Sequence, residues 1–381
     1  MIALAAAVGA SRFVYTPILP VMAEALNLTR AQAGMIASAN FLGYLLGALL
    51  AAVPGLPGPR RGWLLGALVV SALTTGAMGM VSAAPEFLLL RFVGGGASAF
   101  VLVLASAIVL EWLISAGRPG LSSVHFAGVG MGITLSALVV SVLLSAGADW
   151  RELWIAVGVV VVCAAALVAW LTPHDRRHPV EAVAAAPRRL PRGLGGLICA
   201  YGLFGFGYVV TATFLVAIVR ASPAARGIEP LVWLVVGVTA MPSVAFWTRT
   251  GAWVGIRHAF SLACLVEAIG VAVSVLWPTA TGALLAAALL GGTFMGLTAL
   301  GLAEARVLAP SNTRPVFALM TAAFGFGQIV GPVLAGYLSD RNGGFVIPSL
   351  LAAAALVAAS VIVQSLRPEA MTWWRRNRTL A

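Results

Sequence analysis

TPHDRRHPVEAVAAAPRRLPRG, Thr172–Gly193, is the longest polar stretch in a chain that is otherwise almost continuously apolar. Reading backwards from it, apolar runs of helical length fall near 152–171, 122–145, 87–113, 62–84, 31–53 and 2–26. Reading forwards, they fall near 194–219, 230–248, 259–277, 282–308, 315–338 and 345–366. Each can cross a bilayer, which takes about 20 apolar residues in a helix. The runs are continuous rather than alternating, so they do not read as strands of a membrane barrel. The spacing predicts an N-terminal six-helix bundle over 1–171, a cytoplasmic linker over 172–193, a C-terminal six-helix bundle over 194–366 and a cytoplasmic tail over 367–381.

Composition agrees. The 381 residues are 61% hydrophobic and 9% charged, whereas soluble domains carry about 25% charged residues. A soluble fold of this size cannot hide so much apolar surface from water. This excludes an ordinary soluble enzyme, a nucleic-acid-binding domain and a disordered chain. The net charge of +11 comes with no lysine at all, and most arginines sit between apolar runs, not on one soluble face.

Those arginines set the expected orientation. With the N-terminus inside, the inner loops hold Arg60, Arg61, Arg118, Arg176, Arg177, Arg188, Arg189, Arg192, Arg249, Arg257 and Arg314, and the tail adds Arg367, Arg375, Arg376 and Arg378. Only Arg30, Arg151, Arg220, Arg226 and Arg341 fall outside. Both termini are therefore expected in the cytoplasm. Trp63, Trp112, Trp150, Trp154, Trp170, Trp233, Trp247, Trp253 and Trp277 fall near run ends, where indole favours the headgroup layer. Cys163, Cys199 and Cys264 lie inside apolar runs without CxxC spacing, so they are expected to be buried small hydrophobes, with no metal site. The first run lacks a basic leader region, so no cleavable signal is expected.

The halves repeat at an offset of 196–197 residues. Gly9-Ala-Ser-Arg-Phe-Val-Tyr matches Gly205-Phe-Gly-Tyr-Val-Val-Thr, Gly58-Pro-Arg60 matches Gly255-Ile-Arg257, and Gly128-Val-Gly130 matches Gly325-Phe-Gly327. Glu111 has a rough counterpart in Glu304. The fold class is thus all-α and polytopic, with twelve transmembrane helices in two pseudo-symmetric six-helix bundles. Such repeats place substrate between the halves near the bilayer midplane.

At this level the chain resembles the major facilitator superfamily. SRFVYTPILPVM at Ser11–Met22, AGMIASANFLGYLLGALL at Ala33–Leu50 and YGLFGFGYVVTATFL at Tyr201–Leu215 are similar to the bacterial YbfB/YjiJ-type family, whose members are presumed solute transporters. The resemblance implies a bacterial inner-membrane protein with spans one, four, seven and ten lining the cavity. The superfamily's 2–3 loop motif keeps Gly55, Gly58, Arg60 and Arg61 here but lacks its Asp. GPVLAGYLSDRNG at Gly331–Gly343, with Gly336, Asp340 and Arg341, resembles a common ending of span eleven.

Arg12 is the most informative residue. It lies about ten residues into the first run, where burying Arg costs about 2.5–3.5 kcal/mol on insertion scales. Its planar group suits a carboxylate. The alternatives are a permanent ion pair or a cap for backbone broken near Pro17. Tyr15, three residues on, is expected to support the same ligand. Arg91 opens span four and either belongs to a superfamily motif beginning with Arg or snorkels to the outer headgroups. Gly94–Gly96 and Gly128–Gly132 predict close helix approach. Asn40 and Tyr44 share a face, Tyr208 is the repeat mate of Arg12, and Tyr201 and Gln328 complete the candidate substrate set; each also suits an interhelical hydrogen bond. Proton-coupling or gating candidates are His125, Glu111, Glu304 (with Arg306 close by), Arg91, Asp340 and Glu267, the last expected to make a structural hydrogen bond.

No Walker motif, HExxH or ligand-spaced acidic set is present, so no enzyme, cofactor or metal is expected. The expectation is a monomeric secondary transporter for a small organic anion such as a carboxylate, coupled to protons, working by alternating access in the lipid bilayer, with no nucleic-acid partner. The alternative is efflux of hydrophobic or amphipathic compounds past Phe13, Phe41, Phe204, Phe206, Phe294 and Met295. A channel or scaffold is a more distant possibility.

Overall fold

A computed structural model describes residues 1–53, 57–172, 193–310 and 313–366, with the side chains of Pro119, Thr313 and Arg314 left aside. The expected linker with its arginines, the tail, and Gly55 of the 2–3 loop lie outside the described residues. The described chain is helical, with no strand among these residues. Its twelve main helices are α1 Ile2–Ala25, α2 Arg30–Ala51, α3 Arg60–Ala77, α4 Ala84–Ser115, α5 Ser122–Ser145, α6 Trp150–Leu171, α7 Leu194–Ala221, α8 Glu229–Val254, α9 Ile256–Leu276, α10 Ala280–Leu308, α11 Thr313–Asn342 and α12 Val346–Ser365.

Eleven of the twelve are long and apolar enough to span a membrane. The exception is α3, which is short and opens on Arg60 and Arg61. Sequence pattern carried this run on to residue 84, but the helix stops at Ala77, ahead of a turn through Met78–Met80.

Local chemistry sets the starts. Thr29 accepts from the N–H of Gln32, whose side chain accepts from the N–H of Thr29. Asp149 and Glu152 make the same reciprocal cap for α6. Each pair satisfies orphan donors of a first helical turn.

The start of α1, the Arg60 end of α3, the start of α5 and the end of α12 share one face of the bundle, here the tail face. The opposite, far face holds Glu24, Arg30, Arg220 and Asp340. The halves meet along α2 against α11, α5 against α8 and α1 against α7. Glycine makes the second seam possible. A Cβ on Gly130 would collide with the backbone of Gly237–Met241, and one on Gly237 with Thr134.

Two composition-level expectations are corrected. Trp150, Trp154, Trp233 and Trp247 are buried, while Trp63, Trp112, Trp170, Trp253 and Trp277 are exposed; distance from a helix end does not say which face an indole occupies. Cys163 and Cys199 are exposed on the outer surface and only Cys264 is buried.

Candidate functional site

The centre is built from a break in α1. Residues Ala5–Arg12 are wound as a π-helix, which gives way to a turn at Phe13–Val14 before regular helix resumes at Tyr15. Pro17 has no N–H to give the carbonyl of Phe13, four residues back. The N–H of Thr16 takes that carbonyl instead, at 3.3 Å, and so forgoes the carbonyl of Arg12. Arg91 of α4 claims it, Nη1 and Nη2 donating at 3.3 and 3.2 Å. The broken backbone near Pro17 does have an arginine cap, but the cap is Arg91. Far from snorkelling to headgroups, Arg91 is 5% exposed, with its guanidinium over the Tyr15 ring at 4.8 Å.

Arg12 is 6% exposed. Its guanidinium carbon lies 3.9 Å from the Tyr44 ring centroid, 4.8 Å from Phe41 and 5.4 Å from Phe13. The ion pairs among the described residues involve Arg60, Arg220 and Arg257, never Arg12 or Arg91. Arg12 Nε and Nη2 have no partner, and neither has Arg91 Nε. Nε and Nη2 form one edge of the guanidinium fork, the edge that takes a carboxylate through two parallel hydrogen bonds.

Both arginines line a cavity of about 10 Å³, with Phe13, Tyr15, Thr16 and Phe41 from one half and Ala212 and Thr213 from the other. This is room for about one water. The expected central cavity is therefore shut around Arg12 in this conformation. Phe13 closes it by packing edge-on to Phe294 at 6.0 Å and tilted to Trp233 at 6.5 Å. A larger hollow of about 470 Å³ on the outer surface between α5 and α6, beside Leu143, Ala148 and Ile155, is remote from these groups.

The other expected residues divide. Tyr44 stacks on Arg12 as described. Asn40 donates to the Arg91 carbonyl at 2.9 Å and keeps Oδ1 unpartnered. The Tyr15 ring lines the cavity, but its hydroxyl donates to the Ala33 carbonyl at 2.8 Å, so it is not offered to a ligand. The π-helical winding and the following turn spoil the three-residue spacing that put it beside Arg12. Tyr201 is buried, its hydroxyl donating to the Thr298 carbonyl at 3.2 Å. Tyr208 stacks between Phe294 and Phe324, with centroids at 5.9 and 5.7 Å, and receives a hydrogen bond from Gln328 Nε2. Gln328 Oε1 is left without a partner.

The two halves are tied near this centre. Thr16 Oγ1 donates to the Ala212 carbonyl at 2.6 Å and Ser38 Oγ to that of Ile329 at 2.7 Å. On the far face, Asp340 of α11 accepts from the N–H groups of Arg30 and Ala31 at 3.1 and 2.9 Å, capping α2 across the seam. Arg220 of α7 pairs with Glu24 of α1. Sequence reading passed over Thr16 and Glu24, took Trp233 only as a run-end indole, and gave the cap for backbone broken near Pro17 to Arg12 rather than to Arg91.

On the tail face the ion pairs among the described residues stay within each half. Arg60 meets Glu111 at 2.9 Å. Arg257 pairs with Glu304 and also donates to the Leu366 carbonyl at 2.9 Å. The partner of Glu304 is thus Arg257, not Arg306, and the two repeat-related Arg–Glu contacts recur. His125, 3% exposed, lies 3.2 Å from both the Met1 nitrogen and Ser106 Oγ, and so is not solvated. Glu267 is wholly buried beside Thr293 of α10, the neighbour available for the structural hydrogen bond expected of it, although neither carboxyl oxygen lies at normal hydrogen-bond distance from a donor.

A family model described as the uncharacterised MFS-type transporter YbfB matches residues 4–364. The chain belongs to this family of major facilitator transporters. The transporter is a multi-pass membrane protein, and its fold is that of solved relatives. The crystal structure of the nucleoside transporter NupG, as a D323A mutant, superposes with a TM-score of 0.74 over 96% of this chain and 98% of that one, at 13% identity. Comparison with curated proteins returns no match.

Proposed function

We propose that this transporter carries a small organic anion, bound through a carboxylate at Arg12, by alternating access of its two halves. The observation that supports this most strongly is the pair of buried guanidinium groups with no acidic partner among the described residues. A charge so enclosed needs a counter-charge. Arg91 finds one carbonyl and Arg12 finds none, so an anionic solute is the counter-charge the site is built to receive. A nucleoside, the solute named for NupG, would leave both charges unpaired. The aromatic walls from Phe13, Phe41 and Phe294 suit the apolar part of such an anion, and efflux of amphipathic acids uses the same site in the opposite direction.

The closed cavity requires the halves to part before loading. In this conformation they are latched on the far face by Asp340 and Arg220, while the tail-face pairs do not cross between halves. The arginine bias places the tail face in the cytoplasm of an inner-membrane protein. Glu267 is the candidate proton carrier. It is buried and unpartnered, with Cys264 on its own helix, Thr293 on α10 and Tyr208 on α7 as its polar and titratable neighbours.

Uptake of radiolabelled organic acids into proteoliposomes tests this. The expected result is saturable uptake that rises with an inward proton gradient and is absent for nucleosides. Uptake of nucleosides and not acids overturns the anion assignment; indifference to pH and to a protonophore removes the proton.

A further inference from the structure

Among the described residues, the buried side-chain atoms without a hydrogen-bond partner include those of two arginines that line the central cavity and others on the helices around it. Arg12 Nε and Nη2, Arg91 Nε and Asn40 Oδ1 lack partners on one side of the seam, and Gln328 Oε1, Thr211 Oγ1 and Trp233 Nε1 on the other. The two sets differ in kind. The N-terminal half supplies cationic donors; the C-terminal half supplies a neutral amide, hydroxyl and indole, and also the unpartnered carboxyl group of Glu267.

The two sets lie on helices that pack against one another across the seam. Arg12 lies over Phe13, Phe13 packs edge-on to Phe294, and Phe294 stacks on Tyr208, which holds Gln328. Helix α2, which carries Asn40 and Tyr44, packs directly on α11, which carries Gln328, through Ser38 on Ile329 and Leu45 on Gly325. Thr211 is one turn on from Tyr208 and precedes Ala212 and Thr213, which line the cavity; its own side chain is fully buried and is not part of the lining in this conformation. Trp233 touches Phe13.

A simple alkyl carboxylate would satisfy Arg12 and leave the opposite amide and hydroxyl buried and unpaired. Buried polar groups reject ligands that cannot pair with them. An alcohol both donates and accepts, so it pairs with an amide, a threonine hydroxyl or an indole N–H alike. We propose that the substrate is a hydroxy-carboxylate, with its carboxylate on the free edge of Arg12 and a hydroxyl on Gln328 and Thr211. This rests on the anion reading above and narrows it. Acceptance of the hydroxyl makes Gln328 a specificity residue, and a neutral sugar, which has hydroxyls but no charge, is not a ligand.

The test is binding to the purified full-length protein, by calorimetry and thermal shift, of matched acids that differ only in hydroxyls. The series is acetate with glycolate, propionate with lactate, butyrate with 3-hydroxybutyrate, and hexanoate with gluconate, plus glucose. The expected result is that at least one hydroxy acid binds about tenfold or more tightly than its deoxy partner, with no binding of glucose. Gln328→Met is expected to bring that ratio close to one, chiefly by lowering the affinity of the hydroxy acid. Thr211→Val provides a second variant of nearly unchanged volume, should Gln328→Met fail to fold. Equal affinities across every pair in the native protein, or an unchanged ratio in the folded variants, overturn the hydroxyl assignment and leave the anion reading standing. If no acid binds, both fall.

Discussion

Helices α1 and α7 are repeat mates, yet only α1 is broken. At the position of Arg12 the second half has Tyr208, set in an uninterrupted helix and held between two parallel rings. In α1 a π-helical stretch, a turn and Pro17 expose a carbonyl, which a second arginine then caps. The same topological position is therefore cationic and irregular on one side of the seam, neutral and regular on the other. Pseudo-symmetry supplies a scaffold, and the departure from it supplies the chemistry. Departures of this kind, at π-turns in particular, occur often at functional sites.

The largest expected effect comes from removing the planar fork while keeping the charge. Arg12→Lys should lower kcat/KM for acid uptake at least about a hundredfold, near 3 kcal/mol, because a bidentate charge-assisted pair becomes a single point contact. Expression and the elution profile in detergent should be unchanged. Near-native uptake would remove the asymmetry of its meaning.

Next comes the tail face, where the halves do match. Arg257–Glu304 is more enclosed than Arg60–Glu111, with the glutamate side chains 5% and 61% exposed. Glu304→Gln should destabilise the protein by about 2–3 kcal/mol, since it strands a half-enclosed Arg257. Glu111→Gln should cost less than about 1 kcal/mol. Equal losses in a denaturation assay would show that the repeat fixes energetics as well as position.

Pro17→Ala aims at the break itself. Returning an N–H to residue 17 lets the Phe13 carbonyl be bonded in register and frees Thr16 for Arg12, in competition with Arg91. Uptake should fall about tenfold while the apparent Tm holds or rises. The smallest effect is expected at Tyr208→Phe, which keeps the ring stack and loses one hydroxyl; uptake should change less than about threefold.

Much of this was legible in the sequence. Twelve apolar runs and one polar interruption gave the helices to within a few residues, except at the ends of α3 and α8, because membrane spans are long and lack competing patterns. Arg12 could be singled out because a charge at that depth is costly. The role of Arg91 could not, because it depends on a carbonyl freed by Pro17, a backbone event eighty residues away in sequence. Tyr15 was misplaced because i, i+3 reasoning assumes a regular helix. Glu304 paired with Arg257 rather than Arg306 because residues two apart on a helix point in different directions, whereas Arg257 opens the neighbouring helix α9.

The central claim is that the Nε–Nη2 edge of Arg12 is kept free for a substrate carboxylate. It is tested most directly by a density map of the transporter with an acid bound. The account predicts two carboxylate oxygens within hydrogen-bonding distance of Arg12 Nε and Nη2, with Tyr44 still stacked on the guanidinium. A map showing the acid elsewhere, and Arg12 paired with a carboxylate of the protein, would contradict it.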